Sequence, residues 1–145
     1  MQVVQAVTTR AQAREKLSVV YFEADARPVV TAARDCIHSG WHLLHHPLYG
    51  NYRPYQQPYR SLLLKAPAVF AAAVSPDETS LHLIEEALLV YGSVTPLAPE
   101  KAPASLQDAC AMLDCELMRL PLEQAGVLRP GFDFPAREAL SRNCA

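Results

Sequence analysis

The sequence predicts one α/β domain, with a mostly parallel sheet of four or five strands and helices on its faces. Three observations lead there. A chain of 145 residues has the usual length of a single domain. Apolar runs of strand length alternate with segments of helical period. Several of those runs are continuous rather than alternating, as in strands covered on both faces.

Taken in order, Gln2 to Thr8 is β-branched at Val3, Val4 and Val7 and reads as a strand. A short helix over Ala11–Lys16 leads to a second apolar run, Leu17–Phe22. Asp25 is placed to cap the next helix, with Pro28 tolerated in its first turn. Val30, Ala33 and Ile37 recur at helical spacing, and Ser39-Gly40 offers a stop. Trp41–His46 and Arg60–Lys65 read as strands, and Ala68–Val74 as an additional one. Ser75-Pro76-Asp77-Glu78 has the form of a capping box with Ser75 at the cap. Leu81, Ile84, Leu88 and Tyr91 mark one face of the helix behind it. A Pro-rich connector, Val94–Pro103, precedes a helix from Ser105, with Asp108 in the box position and Leu106, Cys110, Leu113, Leu117 and Leu120 as the core stripe. Pro121 is read as its kink or stop. Residues 1–126 then form the domain and 127–145 a loosely held C-terminal tail.

Composition narrows the function classes. Half of the residues are apolar, 19% are charged, and the formal charge is −2. No cluster of Lys and Arg gives the basic stripe that nucleic-acid binding needs, so no nucleic-acid partner is expected. Leu62–Val74, the most apolar stretch, is broken by Lys65 and Pro67 and falls short of the roughly 20 residues of a spanning helix. No membrane association is expected. The N-terminus lacks the pattern of a signal peptide. Cys36, Cys110, Cys115 and Cys144 form no Cys-x-x-Cys pair and read as free thiols of a cytoplasmic protein.

The segment from Gly40 to Tyr59 differs from the rest. It holds three of the five His, four of the six Tyr and three Pro. A connection of this length without regular structure leans functional. It also follows a strand end, where ligands of open α/β sheets lie. His38, His42, His45 and His46 crowd near Cys36, yet zinc needs three or four converging ligands. Strand alternation would put His42 and His46 on one face and His45 on the other. No metal site is therefore expected, and no cofactor is implied. Nor is there a Gly-x-Ser-x-Gly elbow, a P-loop or a Gly-x-Gly-x-x-Gly, so whether the protein is an enzyme stays open.

Gly40-Trp41-His42-Leu43-Leu44, His46-Pro47-Leu48-Tyr49-Gly50, Arg53-Pro54 and Pro58-Tyr59-Arg60-Ser61 together resemble the signature segment of the GrdX-like proteins. The likeness continues at Asp77-Glu78-Thr79-Ser80-Leu81 and Ile84-Glu85-Glu86-Ala87. It departs at His45, at Asn51-Tyr52 and at Arg53. The resemblance implies a role beside the glycine, sarcosine and betaine reductase systems of anaerobic bacteria.

Two functions are compatible with the residues. Arg53, Arg60, His42 and His46 supply donors for a carboxylate or phosphate, and the tyrosines supply flat apolar walls. The first expectation is a small anionic or zwitterionic ligand bound by His42, His46, Asn51, Arg53 and Tyr59. The alternative is an interaction or assembly protein for an amino-acid reductase complex, with the Tyr- and Arg-rich loop as its interface.

Overall fold

The computed structural model describes the backbone of residues 2–8, 16–69 and 74–131, and the side chains from residue 20 onward within those ranges. Seven regular elements organise it: β1 (Gln2–Thr8), β2 (Lys16–Phe22), α1 (Arg27–His38), β3 (His42–Leu43), β4 (Leu62–Lys65), α2 (Glu78–Ser93) and α3 (Ala104–Gln124). Short 3-10 turns at Tyr49–Asn51 and Pro99–Lys101 lie in the connections.

The strands join in the order β2-β1-β4-β3. This corrects the expectation of a mostly parallel sheet. Only β1 and β4 run parallel, whereas β1–β2 and β3–β4 are antiparallel. The reason is connection length. A parallel pair needs a crossover of about a dozen residues or more, and the stretch between Thr8 and Lys16 is too short for one. Residues 11–15 of the expected short helix lie outside the described residues, and Lys16 already belongs to β2. Residues 70–73 of the expected extra strand also lie outside them, while Ala68 and Val69 form a bend.

Strand alternation on β4 divides the core. Leu62 and Leu64 pack with Val29, Val30, Ala33 and Ile37 of α1 and with Ile84, Ala87 and Tyr91 of α2. Leu63 points the other way and packs with Met118 and Leu122 of α3. Val127 and Leu128 fold back onto this second cluster, and their backbone amides both donate to the Leu122 carbonyl.

Three local expectations shift. α1 ends in a Schellman turn: Gly40, at φ +91°, donates to the Ile37 carbonyl and Trp41 to that of Cys36. Its start is less simple, because Asp25 lies one residue before the cap position and accepts the Arg27 amide at 2.9 Å. α2 is capped by Asp77 rather than Ser75, its carboxylate accepting the Ser80 amide at 2.8 Å. α3 runs past Pro121 to Gln124. Of the expected stripe only Cys110 is buried; Leu113 and Leu117 are half-buried, Leu106 and Leu120 are 40% and 60% exposed, and the buried row is instead Cys110, Asp114, Met118 and Leu122. The buried row has a strict four-residue spacing with an aspartate in it, which an apolar-pattern reading passes over.

Cys36, Cys110 and Cys115 are free thiols, and Cys144 lies outside the described residues. Among the described residues no helix is long and apolar enough to cross a membrane.

Candidate functional site

β3 is far shorter than the sequence suggests. Its ladder continues by one bond, from the Leu44 amide to the Leu63 carbonyl at 3.0 Å. At the next position the His45 side chain takes over, its Nε2 accepting the Leu63 amide at 3.0 Å. A side chain thus replaces a strand carbonyl, which frees the backbone to leave the sheet. The chain then crosses the end of the sheet where β4 begins, and re-enters it at Leu62.

Under that crossing lies a buried polar network. The Tyr49 hydroxyl donates to Asp114 Oδ1 and accepts the Ser61 amide at 2.9 Å. The Ser61 hydroxyl donates to Asp114 Oδ2 at 2.5 Å. Arg60 is 1% exposed; its Nε donates to the Tyr91 hydroxyl and its Nη1 to the Tyr49 carbonyl, both at 2.9 Å. The guanidinium carbon sits 4.5 Å from the centre of the Tyr49 ring, and His45 meets that ring edge-on at 5.1 Å. One tyrosine therefore joins the loop, β4 and α3. Gln57 adds a second tie to α3, donating to the Cys110 carbonyl at 3.3 Å, and Leu97 donates to the Pro54 carbonyl at 2.9 Å.

The family model of the GrdX-like proteins matches residues 5–123. The chain belongs to the GrdX-like family. No curated protein and no solved structure matches it. The match contains the whole network of this GrdX-like chain, from His45 and Tyr49 through Arg60 and Ser61 to Asp114.

Burial sets the electrostatics. It pushes the Asp114 carboxyl up, against the pull of the Ser61 and Tyr49 hydroxyls and of Arg60. The Tyr49 phenol is driven well above its ordinary value, by burial first and by the Asp114 charge second. Tyr91 rises for the same first reason, partly offset by Arg60. The His45 imidazole falls to about 4, chiefly by burial; the His46 backbone opposes the fall and the Arg60 charge adds to it. His45 is thus neutral at pH 7, with its ring proton on Nδ1.

The five residues expected to bind a ligand are placed differently. His42 is exposed on β3, with Nδ1 3.7 Å from Asp77 Oδ1. His46 is exposed and its Nδ1 accepts the Leu48 amide at 3.1 Å. Asn51 is exposed in a left-handed conformation at φ +53°. Arg53 is exposed, and its backbone amide donates to the Gln56 side chain at 2.9 Å. Tyr59 is buried, 5% exposed, so it stands apart from the other four. Among the described residues no three His, Cys, Asp or Glu side chains converge as a metal would require.

Sequence reasoning gave Asp114 and Ser61 no role, weighed His45 only as a metal ligand, and read Tyr49 only as an apolar wall. Asp114 shares a four-residue row with Cys110, Met118 and Leu122, but only the structure shows that this row is the buried one, where the carboxylate is hydrogen-bonded as burial requires.

Proposed function

We propose that this GrdX-like protein is an interaction protein whose recognition surface is the Tyr- and Arg-rich loop between His42 and Tyr59. Its partner is a protein of an amino-acid reductase complex. One observation carries the reading. The loop is fixed from beneath by buried hydrogen bonds, yet it turns Tyr52, Arg53 and Tyr55 to solvent. Tyr52 and Tyr55 remain 38% and 51% exposed. Tyrosine and arginine dominate the energetic centres of protein interfaces, and a pre-ordered loop loses little entropy on binding. The choice of partner rests on the reductase systems that the family resemblance implies.

The experiment is a titration of purified glycine, sarcosine and betaine reductase components against immobilised protein. Tyr55→Ala and Arg53→Ala should each weaken binding by about 2 kcal/mol, roughly thirtyfold. Leu89→Ala, on an exposed position of α2, serves as the control. Equal affinities for all variants, or no binding by any reductase component, would sink the reading.

A second reading keeps a small anionic or zwitterionic ligand at the same loop. It is favoured by four exposed polar side chains along one stretch: His42, His46, Asn51 and Arg53. Arg53 would grip the carboxylate or phosphate in a bidentate fork, and Tyr59 would line the site only if the loop shifted. A thermal-shift screen of phosphates and amino-acid derivatives separates the two. Ligand at 100 times its Kd stabilises the folded state by about 2.7 kcal/mol, and Arg53→Ala should abolish that shift.

A further inference from the structure

Two buried atoms of the network, Arg60 Nη2 and His45 Nδ1, make no hydrogen bond of good geometry among the described residues, although the His46 backbone lies close to the second. Both are donors. Arg60 Nη2 carries two N–H groups. His45 Nε2 accepts the Leu63 amide, so the proton of the neutral ring sits on Nδ1. The two side chains flank one ring: the guanidinium lies over the face of Tyr49 and the imidazole meets its edge. Arg60 makes its other bonds to uncharged oxygens, those of Tyr91 and the Tyr49 carbonyl. None of the ion pairs among the described residues includes it; the Asp114 carboxylate of the same network acts on it through space without a direct hydrogen bond. A buried cation with unmet N–H groups is costly, and an oxygen acceptor carrying negative charge is what relieves it.

We propose that Arg60 Nη2 and His45 Nδ1 form a buried subsite for the oxygen atoms of one small anion, a carboxylate or a phosphate, that enters beneath the loop. Arg60 supplies charge and His45 supplies direction. Entry requires the chain around Tyr49 to lift. Gly50 and Asn51, consecutive residues at φ +76° and +53°, form the turn that follows it. The subsite lies beneath the exposed surface of Tyr52, Arg53 and Tyr55 and shares its Tyr49 anchor, but needs no protein partner.

Two substitutions displace the orphan donors: the lysine ammonium lacks the planar Nη2 of the guanidinium, and the glutamine amide does not reproduce the Nδ1 direction of the imidazole. Arg60→Lys retains a cation within reach of Tyr91 and the Tyr49 carbonyl. His45→Gln retains an acceptor for the Leu63 amide. Melting temperature is followed against sodium acetate, glycine and inorganic phosphate, with ionic strength held constant by chloride. The wild type should show a saturable rise with acetate or glycine if a carboxylate is the ligand, and with phosphate if a phosphate is. The apparent affinity should fall at least tenfold in each variant and stay unchanged in Tyr55→Ala. For acetate and glycine, whose carboxylates stay ionised, the affinity should be flat between about pH 5.5 and 8, because a guanidinium keeps its charge and His45 is already neutral. Binding through an exposed imidazolium would instead fade above about pH 6.5. No saturable rise in wild type, an equal rise in both variants, or a high-resolution crystal structure with a water bridging the two donors in the presence of all three anions would overturn the proposal.

Discussion

Tyr49→Phe deletes one oxygen from the network and leaves the ring under Arg60 intact. That oxygen accepts the Ser61 amide at 2.9 Å and donates to Asp114. Without it a buried N–H loses its acceptor, which costs about 1–3 kcal/mol, and a carboxyl loses a hydrogen bond of the charge-assisted kind, worth about 1.5–3 kcal/mol. The expected loss is roughly 3–5 kcal/mol, a large part of the about 5–15 kcal/mol that holds a domain folded. At roughly 3 °C per kcal/mol for a chain of this size, the melting temperature should fall by about 9–15 °C. Calorimetry paired with urea unfolding measures it, with Tyr52→Phe as the control. The Tyr52 side chain is exposed, and its substitution should stay within about 0.5 kcal/mol. A fall of less than about 3 °C for Tyr49→Phe would show that the hydroxyl is solvated and that the loop is anchored by something else.

The remaining predictions test other parts of the fold. The His45 imidazole is lowered to about 4 by burial, so between about pH 6.5 and 4 the unfolded chain holds a proton that the folded chain lacks. Its stability is therefore present above pH 6.5 and lost as pH falls, by on the order of 3 kcal/mol. Urea midpoints taken from pH 7 to 4.5 should drop in wild type and less in His45→Gln; equal slopes would refute the assignment. Asp114 acts with the opposite sign. Its raised carboxyl contributes stability below about pH 3.9, lost as pH rises through the folded value, so Asp114→Asn should steepen the acid limb. Gly50→Ala should destabilise by at least about 1 kcal/mol, since the residue sits at φ +76° and the new Cβ would stand 2.7 Å from Leu117 Cδ1; an unchanged melting temperature would mean that the turn does not hold this shape. Leu63→Ala empties the contact between β4 and α3 and should cost about 2–5 kcal/mol by thermal unfolding.

The sequence by itself determined what nearest-neighbour physics controls. The apolar runs at Leu17–Phe22 and Leu62–Lys65, the helical spacing of Val30, Ala33 and Ile37, and the Gly40 stop depend on chain period and backbone conformation. Each therefore shows in the residues alone. The unusual composition of Gly40–Tyr59 was legible for the same reason. Strand direction was not legible, because it depends on which strands meet, and the short link after Thr8 had to be weighed against the alternation of elements. The buried row of α3 was not legible either. Asp114 is tolerable inside only because Tyr49 and Ser61, 65 and 53 residues away in the chain, bring hydroxyls to it. Which of the loop's polar groups face solvent and which face the core was likewise decided by tertiary structure. Arg60 and Arg53 are indistinguishable as letters. One lies two residues before β4, against the Tyr49 ring, and the other is exposed on the loop, so solvation, rather than residue type, separates a buried anchor from an exposed contact.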